Sequence, residues 1–168
     1  MQLAERLNLS SVIKTDSEIY EPLWTRKNID TLKSFREDCE LVAKGLKQEL
    51  IKCVKDGKTL ILEGIHFNEL VVETIRKIIT EGGGIFIPYF VTLSDTYSHD
   101  NMINEWLERY KIQNSVDQVK SRILLVQSNL RRQHQNQIIL DDFPKTLDCI
   151  HESFLRSLEM YTFPEISE

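Results

Sequence analysis

The chain has 168 residues, with 21 basic against 26 acidic side chains, 41% apolar residues, three cysteines and six glycines. That is one domain's length, residues 1–168, with enough apolar chain for a core, and it excludes collagen-like, disordered and disulfide-scaffold classes. A net charge of −5 gives no global attraction to nucleic acid or anionic lipid, and no apolar run approaches the roughly 18 residues of a membrane span.

Taken in order, residues 2–9 read as a short helix and residues 11–14 as a short strand ending at Thr15-Asp16. A long helix follows, with Asn28 and Asp30 as candidate caps. Leu32, Phe35, Cys39, Val42, Leu46, Leu50 and Val54 recur at three- and four-residue spacing until Gly57. Thr59-Leu60-Ile61-Leu62 is too short for a buried helix and reads as a buried strand ended by Glu63-Gly64. Leu70, Val71, Ile75, Ile78 and Ile79 make a second helical stripe, closed by Gly82-Gly83-Gly84.

Residues 85–93 are β-rich, with Pro88 interrupting the ladder, and a polar helix is expected from about Asp95. Ser115 and Gln118 form a capping-box pattern before Val119, Ile123, Val126 and Leu130. Residues 137–140 are a fourth strand, and a closing helix runs from Pro144 to about Tyr161. Strands alternating with helices predict the α/β class, with a parallel sheet covered on both faces. Ligands of such sheets bind beyond the carboxyl ends of the strands, which points to Thr15 and Asp16, Glu63 and His66, Asp95 and His99, and Asp141 and Asp142.

Gly57-Lys58-Thr59 has the tail of a phosphate-binding G-x-x-x-x-G-K-[ST] loop, but its first glycine would fall on Lys52, and a helix precedes it where the motif needs a strand. It reads as a helix C-cap. Glu63-Gly64-Ile65-His66 is more informative. A carboxylate at a strand end can hold Mg²⁺, a glycine lets a ligand approach the backbone, and a histidine can donate to a phosphate oxygen. Equally, Glu63 can cap the next helix and His66 can be a satisfied turn residue. Asp16 is either a general base or a helix N-cap. Six basic residues against Asp117 make residues 109–134 +5, leaving −10 for the rest; that stretch either closes over a polyphosphate or is a solvated helix face. Cys39, Cys53 and Cys149 lack metal-ligand spacing and fit reduced thiols, and with no secretory segment at the start the expected location is cytoplasmic.

Thr15-Asp16-Ser17, then Leu60-Ile61-Leu62-Glu63-Gly64-Ile65-His66, then Ile87-Pro88-Tyr89-Phe90-Val91 leading to His99, then residues 123–130 with Gln127, together resemble the 2-phosphoglycerate kinase family. The related plant low-phytic-acid proteins share that order, and the similarity runs from about Met1 to about His151. The resemblance implies a three-layer P-loop kinase fold that transfers the γ-phosphoryl group of ATP, with Mg²⁺, to a small phosphorylated or polyol-like acceptor. It assigns Asp16, Glu63 and His66 to the reaction centre, with Glu63 at the metal. Thr15, Gly64 and His99 fall on the acceptor side, His99 beginning a lid. Arg122, Arg131 and Arg132 would supply charge for the nucleotide.

The chain departs from that family at Glu18-Ile19, where an arginine tends to follow, and at His99-Asp100-Asn101-Met102, in place of His-x-x-Arg. Residues 1–7 look like the helix that follows a P-loop, so the first strand and the loop are expected to be missing. That makes the chain either a clipped enzyme or a degenerate one, a pseudoenzyme. The alternative is a non-catalytic binding module that retains the acceptor pocket, or pairs an open sheet edge with a second copy or a partner chain.

Overall fold

The computed structural model describes residues 2–9, 11–93, 103–105, 107–108, 115–134, 136–140 and 142–161. The start of the polar helix expected from Asp95, together with His99, Asp141 and Trp106, lies outside the described residues, whereas residues 103–105 and 107–108 are helical.

The elements follow the expected order. Helix α1 (Gln2–Arg6) leads into β1 (Val12–Lys14), a single 3₁₀ turn (Thr15–Glu18) and the long helix α2 (Thr31–Lys55). Then come β2 (Ile61–Glu63), α3 (Glu69–Glu81), β3 (Phe90–Leu93), α4 (Val116–Gln133), β4 (Gln137–Leu140) and α5 (Phe143–Glu159). Short polar side chains set the helix starts: Asp30 accepts from the Lys33 amide, Asn68 from Val71, Ser115 from Gln118 and Asp142 from Lys145. Each such cap contributes about 1 kcal/mol. Gly57, at φ 63°, ends α2 as a left-handed C-cap, with the Lys58 amide bonded back to the Cys53 carbonyl. The apparent phosphate-loop tail is therefore a helix stop.

Among the described residues the strand pairing is parallel, as expected of an α/β chain, but it is divided. β1 pairs with β2 in the register Lys14↔Glu63, and β3 pairs with β4 in the register Leu93↔Leu140. Among the described residues these are two separate two-stranded sheets, where one continuous sheet was expected. Side-chain contacts connect the two pairs. His134 Nε2 lies 2.7 Å from the Phe67 carbonyl, and its ring packs 4.8 Å from Phe90. The segment just after β2 is thereby held against the amino end of the β3–β4 pair. β2 is also half-buried rather than buried, and among the described residues one of its edges has no strand partner.

One core nevertheless spans both pairs. Phe35, Cys39, Val42, Leu46 and Leu50 of α2 pack with Val71 and Ile75 of α3 and Val126 and Leu130 of α4, with Leu62 and Phe90 against them. Leu70, expected in the α3 stripe, is exposed and Val72 takes its place. On α4, Arg122 rather than Ile123 completes the buried row of Val119, Val126 and Leu130. Asp38 is buried inside the α2 stripe, three residues after Phe35 and four before Val42, on the face where only apolar side chains were expected.

Burial pushes the Cys39 thiol up to about 12, with the Asp38 charge adding to the shift, so it is a thiol at neutral pH; Cys149 is exposed. We expect a thiol reagent to modify Cys149 within minutes in the native chain and Cys39 only on unfolding. Native labelling of Cys39 at the rate of Cys149, read by peptide mass mapping, would contradict this packing.

Candidate functional site

Parallel pairing of β1 with β2 brings the two strand ends side by side, and five of the expected site residues gather there. Lys14 Nζ and Glu63 Oε1, opposite each other in the register, lie 3.4 Å apart. Both are partly exposed, so the pair contributes at most about 1 kcal/mol. Beyond them Thr15 is fully buried, its Oγ1 2.9 Å from His66 Nδ1. Asp16 Oδ1 lies 3.6 Å from the same nitrogen, and its side chain is largely open to solvent.

Gly64 has a different reason to be a glycine from the one expected. Its φ is 148°, and a Cβ at this position would run into Thr15 Oγ1. The space that a side chain would take is filled by the hydroxyl that reaches His66, so Gly64 permits the Thr15–His66 contact.

The alternative roles as helix caps fall away for both carboxylates. Asn68 caps α3, not Glu63. The 3₁₀ turn begins after Lys14 with no side-chain cap bond, and Asp16 lies inside it. His66 is 3% exposed and stacks on Phe35, centroids 6.1 Å apart and planes at 21°. Burial lowers its proton affinity below the ordinary histidine range; Asp16 and then Asp38 oppose that shift, and Arg26 adds to it. The imidazole is therefore neutral at pH 7. Thr15 and Asp16 both address Nδ1, so this is not a hydroxyl–imidazole–carboxylate relay, which needs the hydroxyl and the carboxylate on opposite ring nitrogens. What the rim offers is two carboxylates, one lysine and a neutral histidine, an arrangement suited to binding hydroxyl groups and accepting a proton from one.

The sign of the pH dependence follows from this. The unfolded chain binds a proton on His66 below about pH 6.5, whereas the folded chain takes it up only at lower pH. The stability contributed by the neutral ring is therefore complete above pH 6.5 and is lost as the pH falls toward the depressed folded value. Urea midpoints of the native chain and of His66→Gln should converge on acidification; a gap that widens instead contradicts the assignment.

The three arginines are not brought together. Arg122 is 7% exposed and donates from Nη1 to the carbonyls of Leu23 and Trp24, each at 3.1 Å. Arg131 Nη2 donates to the Leu93 carbonyl at 2.7 Å, beside Gln127, whose Oε1 accepts from the Leu93 amide. Arg132 is exposed. Nine residues along a helix put Arg122 and Arg131 on opposite faces. Arg122, expected to supply charge for a nucleotide, places its Nη1 on two backbone carbonyls inside the protein.

Two residues of the site were missed. Arg26 Nη2 pairs with Asp38 Oδ1 at 2.9 Å, and its Nε and Nη2 both donate to the Glu21 carbonyl. The only sequence signal was a charged residue in register with the α2 core stripe. No group of three or more His, Cys, Asp or Glu side chains able to hold a metal ion gathers among the described residues, and none of their helices is long and apolar enough to cross a membrane. Comparison with family models, curated proteins and solved structures finds no match.

Proposed function

We propose that this α/β chain is a kinase-like protein whose working part is an acceptor site for a small hydroxyl-bearing molecule. Within that class, the reading is a P-loop small-molecule kinase relative of the 2-phosphoglycerate kinase type, catalytically degenerate in these 168 residues and acting in the cytoplasm. The observation that carries it is the gathering of Thr15, Asp16, Glu63, Gly64 and His66 where β1 and β2 end. Carboxylates accept hydrogen bonds from hydroxyls, which favours a polyol-like acceptor.

The described residues do not fit the triphosphate of ATP. Gly57-Lys58-Thr59 ends a helix, and Arg122 is spent on carbonyls. A magnesium ion fits better, since it commonly takes one or two carboxylates plus substrate phosphates, and Glu63 and Asp16 are the carboxylates here. It would neutralise phosphate charge when bound. Phosphoryl transfer depends on positioning and charge neutralisation of the kind a G-x-x-x-x-G-K-[ST] loop supplies, and these 168 residues contain no such loop. Turnover of ATP with 2-phosphoglycerate by these 168 residues is therefore expected to be negligible, and a rate of about 1 per second or more would overturn the degenerate reading.

A second reading, a binding module that pairs a strand edge with another chain or a second copy, is favoured by one observation: among the described residues the strands form two unjoined pairs. Calorimetry separates the two. Micromolar Mg-ATP affinity contradicts the module, and binding of a polyol phosphate without nucleotide affinity supports the acceptor site alone.

A further inference from the structure

We propose that Gln133 and His134, where α4 ends, are positioning residues for His66: together they strap the loop that carries it to the far strand pair. The proposal rests on the acceptor-site reading for what the strap serves, but not for the coupling itself.

Residues 64–68 lie between β2 and α3 and belong to no helix or strand, so regular structure does not itself fix the backbone around His66. Just beyond His66 the backbone is gripped twice from α4. His134 Nε2 lies 2.7 Å from the Phe67 carbonyl, and because a carbonyl only accepts, that nitrogen carries a proton and donates it. Gln133 Oε1 accepts from the Glu69 amide at 2.9 Å. Glu69 opens α3, where an amide has no intrahelical partner, and Asn68, between the two held groups, caps the same turn through the Val71 amide. Bonds of opposite sense, two residues apart, hold the loop against both sliding and rotation.

The anchor is itself tied down. Gln133 Nε2 donates to Asn129 Oδ1, which leaves the amide oxygen for Glu69. Gln137 of β4 donates from Nε2 to the carbonyls of Arg131 and His134, in the turn where a helix leaves its carbonyls without partners. The His134 ring packs against Phe90 of β3, and Gln127 and Arg131 of the same helix take the Leu93 amide and carbonyl. α4 therefore holds the carboxyl end of β3 and the loop beyond β2 at once. The rim is built on one strand pair and steadied from the other. Little slack is available, since a loop displacement of about 1 Å carries the 2.9 Å contact between Thr15 Oγ1 and His66 Nδ1 out of hydrogen-bond range. An apolar ring at position 134 would pack on Phe90 as well; what a donor adds is the bond to Phe67.

Amide NMR of the full 168-residue chain above neutral pH, with no ligand, tests the strap. Gln133→Leu should speed exchange of the Glu69 amide about tenfold or more and displace the amide resonances of Gly64 and Thr15. His134→Phe, which keeps a ring on Phe90 but has no donor, should displace the same two. Gln133→Glu and His134→Gln, which restore an acceptor and a donor, should return them toward their native positions. Residues that served stability alone would lower the urea midpoint and leave Gly64 and Thr15 unmoved, and that outcome in the folded variants overturns the proposal. If the variants do not fold, the native chain decides: a Glu69 amide that exchanges as fast as in an unstructured peptide, or a His134 ring protonated at Nδ1 alone, overturns the proposal equally. If the resonances move as expected while a polyol phosphate perturbs nothing at the rim, the acceptor-site reading fails and the strap stands.

Discussion

Replacing Gly64 with alanine should destabilise the chain by about 3 kcal/mol, through two additive causes. A backbone at φ 148° is one that side chains rarely adopt, which costs of order 1–3 kcal/mol, and the new Cβ collides with Thr15 Oγ1, an overpacking cost of about 1–3 kcal/mol. The two separate in a double-mutant cycle. In a Thr15→Ala background the hydroxyl is gone, so Gly64→Ala should cost only the backbone part, about 1–2 kcal/mol. Urea denaturation of the four proteins gives the coupling. Equal costs in both backgrounds would mean that Thr15 does not occupy the space above Gly64, and the geometry of the site would be wrong.

The second large effect falls far from the rim. Arg122→Ala should cost about 3 kcal/mol, because it removes two charge-assisted hydrogen bonds to the carbonyls of Leu23 and Trp24. Arg132→Ala, on the exposed side of the same helix, should stay within about 0.5 kcal/mol. The pair distinguishes a structural arginine from a ligand-binding one. If Arg122→Ala leaves the denaturation midpoint unchanged but abolishes binding of a nucleotide or phosphate compound, the anchor assigned here is wrong and the arginine belongs to a site.

Arg122 also marks where the sequence stopped being legible. Local signals were readable because they are local. Asp30, Ser115 and Gly57 declare helix ends through their own hydrogen-bonding and backbone preferences, and the α2 stripe repeats at helical spacing. The rim was legible for a related reason. Thr15-Asp16 and Glu63-Gly64 each end a strand, and a helical crossover between two strands makes parallel neighbours the expectation. Arg122 stands 99 residues from the Leu23 carbonyl, and nothing in a run of positive charge distinguishes a residue facing solvent from one whose head group is spent on a distant loop.

Asp38 and Arg26 escaped notice through the opposite fault, since the pattern of α2 reads equally well with position 38 ignored. The division of the sheet was illegible because strand pairing is a matter of partners, and strands of three or four residues carry no mark of which edge finds one. Gly64 was noticed but explained by the wrong neighbour: room for a ligand was expected, and a threonine hydroxyl fills it.

The most direct test of the acceptor site is a titration of the isotope-labelled chain with 2-phosphoglycerate and, separately, with a polyol phosphate, followed through the backbone amides. The account predicts that the largest shifts for at least one of them cluster at residues 14–18 and 63–66, and that Asp16→Asn weakens that binding about tenfold or more. Shifts centred on α4, or saturating binding that Asp16→Asn and His66→Gln both leave unchanged, would contradict it.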